Sequence, residues 1–247
     1  ICNDDQNLKN IIRKTKNKNF YTYGKDKKSN FQIVNIKQTS NFSSFDIKIN
    51  IPSKKKIIKR IKLPMIGIHN IRNATAAISL AFTIGLPEKC IKAGLLHFKG
   101  VQRRFTHLFD HNKISFYDDY AHHPTEISSV LSGVEKVYKN KEIVCVFQPH
   151  RISRVIRLKK EFSKCFKKAD TVLLCPIYTA NEKLRLNFTY LSFAKLIIKN
   201  SNVRLIQVEN ELQLQKFIKQ NVFGKKIYIG MGAGSISNWM KDLKNIF

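Results

Sequence analysis

The stretch Asp118-Asp119-Tyr120-Ala121-His122-His123-Pro124-Thr125-Glu126 lies where a predicted strand gives way to a predicted helix. Residues 114–117 before it are rich in β-forming types, whereas apolar residues after it recur at helical spacing, and Pro124 suits a first helical turn. The titratable side chains of this stretch therefore follow the carboxyl end of a strand. Open α/β sheets bind ligands at this edge, so we expect a functional site here.

Beyond this stretch, strands and helices alternate to the end of the chain. We predict strands at 114–119, 142–147, 171–175, 203–208 and 226–230, and helices at 124–138, 157–167, 190–199, 211–220 and 235–245. Such alternation is typical of a parallel, doubly wound sheet, so the fold class is α/β with a Rossmann-like C-terminal domain.

The first part of the chain has a different pattern. A helix is predicted near 8–13, short β-type runs at 20–23, 31–34 and 45–49, and two further helices at about 70–84 and 88–98. The polar turns between the β-type runs indicate part of a sheet. We therefore divide the chain into two domains, 1–98 and 99–247.

Composition limits the class of protein. With 247 residues, 43% of them hydrophobic, the chain has the make-up of a globular protein. No apolar run reaches the roughly 18 residues of a membrane span, and no signal pattern opens the chain, which predicts a cytoplasmic protein without a membrane partner. The five cysteines include no C-x-x-C pair, so neither a disulfide framework nor a zinc site is predicted.

The formal net charge is +28, a value that could indicate a nucleic-acid partner. The basic residues are mostly lysines scattered along the chain, which favours a solvated basic surface over a patch built for a groove. We therefore expect no nucleic-acid partner. The charge still favours small anionic ligands, and no feature indicates an oligomeric state.

Three loops that follow predicted strands are expected to meet at one edge of the sheet: 118–126, 148–154 and 230–235. Arg151 and Arg154 can present guanidinium groups to a carboxylate or phosphate, and the glycines of the third loop allow backbone N–H groups to approach an anion. Together the loops predict an anion pocket. Taken singly, the arginines could be a surface pair and the glycine turn simple close packing.

Two further clusters have competing interpretations. His122 and His123 beside the two aspartates could bind a divalent metal, but we favour the alternative in which His123 begins the helix and Asp119, Tyr120 and His122 face a ligand. No metal ligand is therefore predicted in this sequence. In the first domain, the amides of Asn70 and Asn73 lie three residues apart at a helix start and could contact a purine edge. The alternative is that Asn70 caps the helix.

Five segments together resemble a known family: 67–77, 98–105, 118–126, 147–154 and 230–235. In order and spacing they are similar to the Mur ligase family of cell-wall enzymes, in particular to the member that joins L-alanine to UDP-N-acetylmuramate. The Asp-Asp-Tyr-Ala-His-His-Pro block is close to diagnostic for this member and for a relative that recycles murein peptides. The Gln-Pro-His-Arg-x-x-Arg loop favours the alanine-adding member.

The resemblance implies an ATP-dependent reaction in which ATP phosphorylates the muramoyl carboxylate, the amine of L-alanine then attacks the acyl phosphate, and phosphate leaves. It implies that the nucleotide is bound by His69, Asn70 and Asn73, its phosphates by Arg104 and its ribose by Asp119. It also implies that the amino acid and the muramoyl carboxylate face Tyr120, His122, His150, Arg151 and Arg154. Arg104, His122, Arg151 and Arg154 are the expected catalytic residues, and Arg103 and His123 receive no role.

The family's phosphate loop is missing from this sequence. Gly24-Lys25 is followed by Asp26 and Gly224-Lys225 by Lys226, so neither pair supplies a hydroxyl for magnesium. We expect residues 1–98 to be part of the ATP-binding domain, with the phosphate loop and the Mg²⁺ ligands upstream, and the chain by itself to bind nucleotide weakly without ligating. The alternatives are the murein-peptide ligase and a non-catalytic basic protein that binds nucleotide or nucleic acid.

Overall fold

The computed structural model describes residues 1–16, 20–52, 54–183 and 189–247. It divides into two compact units, Ile1–Gly100 and Val101–Phe247. Each unit has a sheet of its own. Across the described ranges, no helix combines the length and the apolar character needed to cross a bilayer.

Within its described residues, the first unit has a four-stranded sheet and three helices. Its strands lie in the order β1-β2-β3-β4, with β1 parallel to β2 and the other neighbours antiparallel. In chain order its elements are α1 (Gln6–Lys14), β1 (Tyr23–Gly24), β2 (Phe31–Gln38), β3 (Ser43–Ile51), β4 (Lys54–Leu63), α2 (Ile68–Thr83) and α3 (Glu88–Leu96).

Strand β4 is absent from the expectations drawn from the sequence. Its inward residues are Ile58, Ile61 and Leu63, all buried, and the shift in spacing between them follows from an irregular register opposite β3. Arg60 sits at this irregularity with a φ of 58°, and its backbone N–H donates to Asp46 at 2.7 Å. The bulge and the surrounding lysines hide the two-residue period by which a strand is recognised.

The second unit contains the remaining elements around a six-stranded sheet of order β5-β6-β10-β7-β8-β9. In chain order they are β5 (Thr106–His111), β6 (Ile114–Asp119), α4 (Pro124–Val137), β7 (Glu142–Phe147), α5 (Ile152–Arg157), α6 (Lys159–Phe162), β8 (Thr171–Leu174), α7 (Tyr190–Ser201), β9 (Arg204–Gln207), α8 (Glu211–Gln220), β10 (Lys226–Met231), α9 (Ile236–Asp242) and a 3₁₀ helix (Leu243–Ile246).

Both faces of this sheet are covered, which confirms the predicted doubly wound architecture. Along β7, Cys145 and Phe147 pack into a core with residues of α4, α6 and α7, whereas Val144 and Val146 pack into a second core with residues of α8 and α9. Because successive side chains of a strand point to opposite faces, a strand buried on both sides is apolar throughout.

Two details of the prediction are wrong. The sheet is not wholly parallel, because β5 joins its edge antiparallel to β6 through a two-residue turn whose residues, Asn112 and Lys113, have φ values of 46° and 66°. The helix expected at 157–167 is replaced by α5 and α6. The chain enters α5 at Ile152, directly after Arg151, and Leu158 interrupts the helical backbone with φ −109° and ψ 24°.

The parallel register aligns the ends of three strands. Met231 at the end of β10 pairs with Asp119 at the end of β6 on one side and with Phe147 at the end of β7 on the other. The loops that follow these strands therefore start side by side. This alignment places the candidate site at the carboxyl edge of the sheet.

Helix α8 offers a test of the second core. Leu214 is 0% exposed and Leu212 is 76% exposed. We expect Leu214→Ala to lower the free energy of unfolding by about 2–5 kcal/mol, because it removes buried apolar contacts and leaves a cavity. Leu212→Ala, two residues away, should change it by less than about 0.5 kcal/mol.

Urea unfolding followed by the fluorescence of Trp239, the single tryptophan of the chain, measures both variants, since this side chain packs against the same core. Equal losses in the two variants would contradict the assigned packing.

Candidate functional site

Two buried carboxylates, Asp118 and Asp119, end β6. Asp119 accepts hydrogen bonds from the backbone N–H of Ala121 at 2.7 Å and of Phe105 at 2.8 Å. Burial raises the pKa of Asp119 to about 6, although these two bonds and the charge of Arg104 act in the opposite direction. Asp119 therefore stabilises the backbone of the loop that follows β6 through these hydrogen bonds. Each of its oxygens retains a second lone pair, so its expected contact with a ribose stays a prediction.

The residues after Asp119 place an aromatic ring and an imidazole together. Tyr120 lies at the surface with its ring 5.1 Å from that of His122, and the guanidinium groups of Arg103 and Arg104 lie 4.8 and 5.8 Å from the Tyr120 ring. His122 Nδ1 lies 2.8 Å from the carbonyl oxygen of Tyr120. A carbonyl can only accept, so Nδ1 carries a proton; in the tautomer with a single ring proton, Nε2 is then an acceptor.

His123 has a local structural role. Its Nδ1 accepts from the backbone N–H of Thr125, while the Glu126 carboxylate accepts from the backbone N–H groups of His122 and His123. These bonds form a capping box at the start of α4. In the part of the chain that the structure describes, no group of three or more His, Cys, Asp or Glu side chains could hold a metal ion.

The second loop, which follows β7, brings an imidazole and a guanidinium to His122. The rings of His122 and His150 are 5.9 Å apart, and Arg154 Nη1 lies 3.3 Å from His150 Nδ1. Partial burial and the neighbouring positive charge of Arg154 lower the pKa of His150. His150 is therefore neutral at neutral pH. Because its Nδ1 faces a donor, its proton lies on Nε2, which can donate to an anion.

Arg151 differs from Arg154 in its surroundings. Its backbone adopts a left-handed conformation with φ 66°, its backbone N–H donates to the carbonyl of Tyr178 at 2.8 Å, and its side chain is exposed. The left-handed backbone turns the chain into α5. Of the two predicted arginines, the structure brings Arg154 against His150 and leaves the guanidinium of Arg151 facing solvent.

The third loop, the glycine turn 230–235, packs tightly against Gln148. The Gln148 side chain accepts from the backbone N–H of Ile236 and donates to Ser235 Oγ, both at 3.0 Å. A Cβ at Gly232 would lie 2.7 Å from the Gln148 carbonyl oxygen, and one at Gly234 would lie 2.5 Å from Gln148 Oε1. Close packing, the simpler explanation of these glycines, therefore describes both of them.

A fourth loop, after β8, also reaches the site and was not predicted. The Tyr178 ring stacks on His150 with centroids 5.4 Å apart, and a Cβ at Gly234 would lie 2.5 Å from Tyr178 Cγ. Glu182 accepts from the backbone N–H and hydroxyl of Ser153. The available signal was positional, because Leu174 at the end of β8 pairs with Phe147 at the end of β7.

The residues expected to bind the nucleotide in the first unit lie at the start of α2. Gly67 occupies the cap position with φ 95°, and the His69 imidazole lies against it. Asn70 is buried and donates to the carbonyl of Ile66 at 2.7 Å, so it does not cap the helix. Asn73, one turn later, is exposed. The two amides therefore differ in accessibility, and only that of Asn73 faces solvent freely.

Comparison with known families identifies the class of protein. The model of the Mur ligase middle domain matches residues 1–81, and that of the Mur ligase glutamate ligase domain matches residues 103–213. The chain belongs to the Mur ligase family.

Individual members of the family are similar to this chain to different degrees. The chain is 61% identical, over its whole length, to the UDP-N-acetylmuramate–L-alanine ligase of Pelagibacter ubique, of which it covers 53%. The crystal structure of the UDP-N-acetylmuramate–alanine ligase of Thermotoga maritima has a TM-score of 0.70 and 26% identity, over 91% of this chain and 47% of that one. A murein peptide ligase of Psychrobacter arcticus has a TM-score of 0.64 at 21% identity, over 97% and 48% of the two chains, and shows the fold alone. The chain thus spans about half the length of these relatives.

The raised pKa of Asp119 predicts a pH dependence of stability. At intermediate pH the folded protein holds a proton on Asp119 that the unfolded chain releases, so this residue's contribution to stability falls as pH rises. Relative to Asp119→Asn, we expect the free energy of unfolding to fall by about 3 kcal/mol between about pH 4 and about pH 7, since one pKa unit corresponds to about 1.4 kcal/mol.

Urea unfolding across this pH range measures the difference. Asp110→Asn is the control, because hydrogen bonds from Ser115 and His107 outweigh the partial burial of Asp110 and lower its pKa. The contribution of ionised Asp110 to the free energy of unfolding should therefore be lost only as the pH is lowered below about 4. The prediction would be contradicted if the difference in free energy of unfolding between the unsubstituted chain and Asp119→Asn did not change with pH.

Proposed function

We propose that these residues form the nucleotide- and amino-acid-binding part of an ATP-dependent ligase that joins L-alanine to UDP-N-acetylmuramate. The observation that carries the proposal is the meeting of Tyr120, His122, His150 and Arg154 at one sheet edge. The 61% identity to the Pelagibacter ligase supports the choice of substrates. As in the expectation from the sequence, the Mg²⁺ ligands are assigned to another part of the enzyme, and the location is assigned to the cytoplasm.

The two histidines offer opposite hydrogen-bonding groups to an amino acid. Nε2 of His122 is an acceptor suited to an ammonium or amine, whereas Nε2–H of His150 and the guanidinium of Arg154 are donors suited to a carboxylate. Their ring centroids are 5.9 Å apart, close enough for one small ligand to contact both. His122 would therefore orient the attacking amine, and His150 with Arg154 would hold the carboxylate.

ATP supplies the phosphoryl group that makes the muramoyl carboxylate a good electrophile. The exposed Arg104, whose guanidinium lies 5.8 Å from the Tyr120 ring, is placed to stabilise phosphate charge. We assign His69, Asn70 and Asn73 to the nucleotide, Asp119 to its ribose and Arg151 to the substrate carboxylates. These assignments follow the resemblance of the motifs and the exposure of Arg104, Asn73 and Arg151.

The surroundings of His150 favour L-alanine over a murein peptide. Tyr178 stacks on one side of the imidazole, Arg154 lies against its Nδ1, and Glu182 ties the following Ser153 in place. A tripeptide would need more open space at this loop. A non-catalytic basic binding protein is the remaining alternative, and the close pairing of opposite hydrogen-bonding groups argues against it.

Ligation is tested with labelled L-alanine, ATP, Mg²⁺ and UDP-N-acetylmuramate. The chain is assayed alone and joined to the N-terminal half of the Pelagibacter relative. We expect amide formation only by the joined protein, with L-alanine preferred over the tripeptide. Ligation by the chain alone would contradict the expected dependence on the other half.

Preference for the tripeptide would favour the recycling enzyme. DNA binding that weakens steeply with salt would favour the nucleic-acid alternative.

Arg151→Ala tests the exposed guanidinium in the same assay. We expect kcat/KM for L-alanine or the sugar nucleotide to fall. The corresponding activation free energy should rise by about 2 kcal/mol, the size of a hydrogen bond to a charged group. Arg204→Ala, which removes an exposed arginine on β9, is the matched control and should be silent. Unchanged kcat/KM for both substrates in Arg151→Ala would remove this residue from the site.

A further inference from the structure

Arg103 received no role from the sequence, but it makes several contacts within the second unit. It lies shortly after the boundary between the two units and has a left-handed backbone with φ 59°. Such a conformation is unfavourable for a residue with a Cβ and persists where surrounding contacts hold it. The contacts of Arg103 reach two of the loops that form the site.

The backbone and side chain of Arg103 both bind these loops. Its carbonyl accepts from the backbone N–H of Tyr120 at 2.7 Å, and its guanidinium lies 4.8 Å from the Tyr120 ring. Its Nη2 donates to the carbonyl of Gly232 at 2.6 Å. One residue therefore joins the end of β6 to the glycine turn after β10.

The same guanidinium compensates a buried charge. Asp118 is 1% exposed, and its Oδ2 lies 3.6 Å from Arg103 Nε and accepts from Ser237 Oγ at 2.6 Å. A carboxylate removed from water is costly unless a cation and hydrogen bonds offset the loss of hydration. Because Ser237 lies in α9, this network extends from Arg103 through Asp118 to the helix that follows the glycine turn.

We propose that Arg103 is a positioning residue for the ligand site. It touches no substrate; it fixes Tyr120 and the glycine turn relative to each other while it neutralises Asp118. A guanidinium can serve Asp118, Gly232 and Tyr120 together because it is planar and carries several donors, whereas a lysine ammonium cannot span the three. The effect on ligation rests on the proposed function, but the effect on the glycine turn does not.

Four variants separate positioning from charge compensation: Arg103→Met, Arg103→Lys, Asp118→Asn and the double variant Arg103→Met/Asp118→Asn. Arg204→Met is the control. Arg103→Met leaves a buried carboxylate without its cation, so Tm should fall by about 5 °C or more. Adding Asp118→Asn removes that charge and should recover most of the loss. Arg103→Lys should retain most of the stability.

Amide hydrogen exchange of residues 230–238 reports on the glycine turn without any substrate. We expect exchange there to be about tenfold faster or more in Arg103→Met, in Arg103→Lys and in the double variant, and unchanged in Arg204→Met. In a protein competent for ligation, kcat should fall at least about tenfold in the same three variants, because small displacements of positioned groups are costly. In the double variant we therefore expect Tm to recover, whereas slow amide exchange in the glycine turn and kcat should not recover.

Recovery of both exchange and kcat together with Tm in the double variant would overturn the proposal and reduce Arg103 to a counter-ion. Unchanged exchange in Arg103→Met would also overturn it. If the chain joined to the N-terminal half of the Pelagibacter relative does not ligate, the proposed function fails, and the exchange measurement still decides the role of Arg103.

Discussion

The site depends on the register of three parallel strands. Because Asp119, Met231 and Phe147 lie in one row across β6, β10 and β7, the loops that follow them begin within reach of each other. Strand β10 lies between β6 and β7, so Asp119 and Met231, more than 100 residues apart in sequence, become neighbours. A shift of one residue in either pairing would reverse the faces of a strand and separate these loops.

The electrostatic character of the site follows from this crowding. The guanidinium groups of Arg103 and Arg104 lie 4.8 and 5.8 Å from the Tyr120 ring. The two buried acids at the end of β6 are held by hydrogen bonds. Asp119 is bound to two backbone N–H groups and Asp118 to Ser237. The buried acids thereby organise the loops, while the cationic and imidazole groups remain directed outward.

Much of this architecture could be predicted from sequence, since α4 and α8 have clear helical periodicity and the central strands are short, buried, largely apolar runs. The elements that were missed share a physical cause. A bulge in β4 and a two-residue turn before β6 are local backbone features that hydrophobic spacing does not report. The candidate residues of the site were predicted from the resemblance of their motifs to those of a known family. Arg103 and Tyr178 were missed because their importance lies in contacts with distant segments.

Part of the positive charge of the chain lies along strand β4. In the described sheet it pairs with β3 on one side only, and its outward residues include Lys54, Lys55, Lys56, Lys59 and Lys62. An open strand edge is a template on which another chain can add by backbone hydrogen bonding, and lysines along it oppose such growth. In the described sheet, the lysines of β4 therefore oppose the pairing of this edge with another copy of the chain.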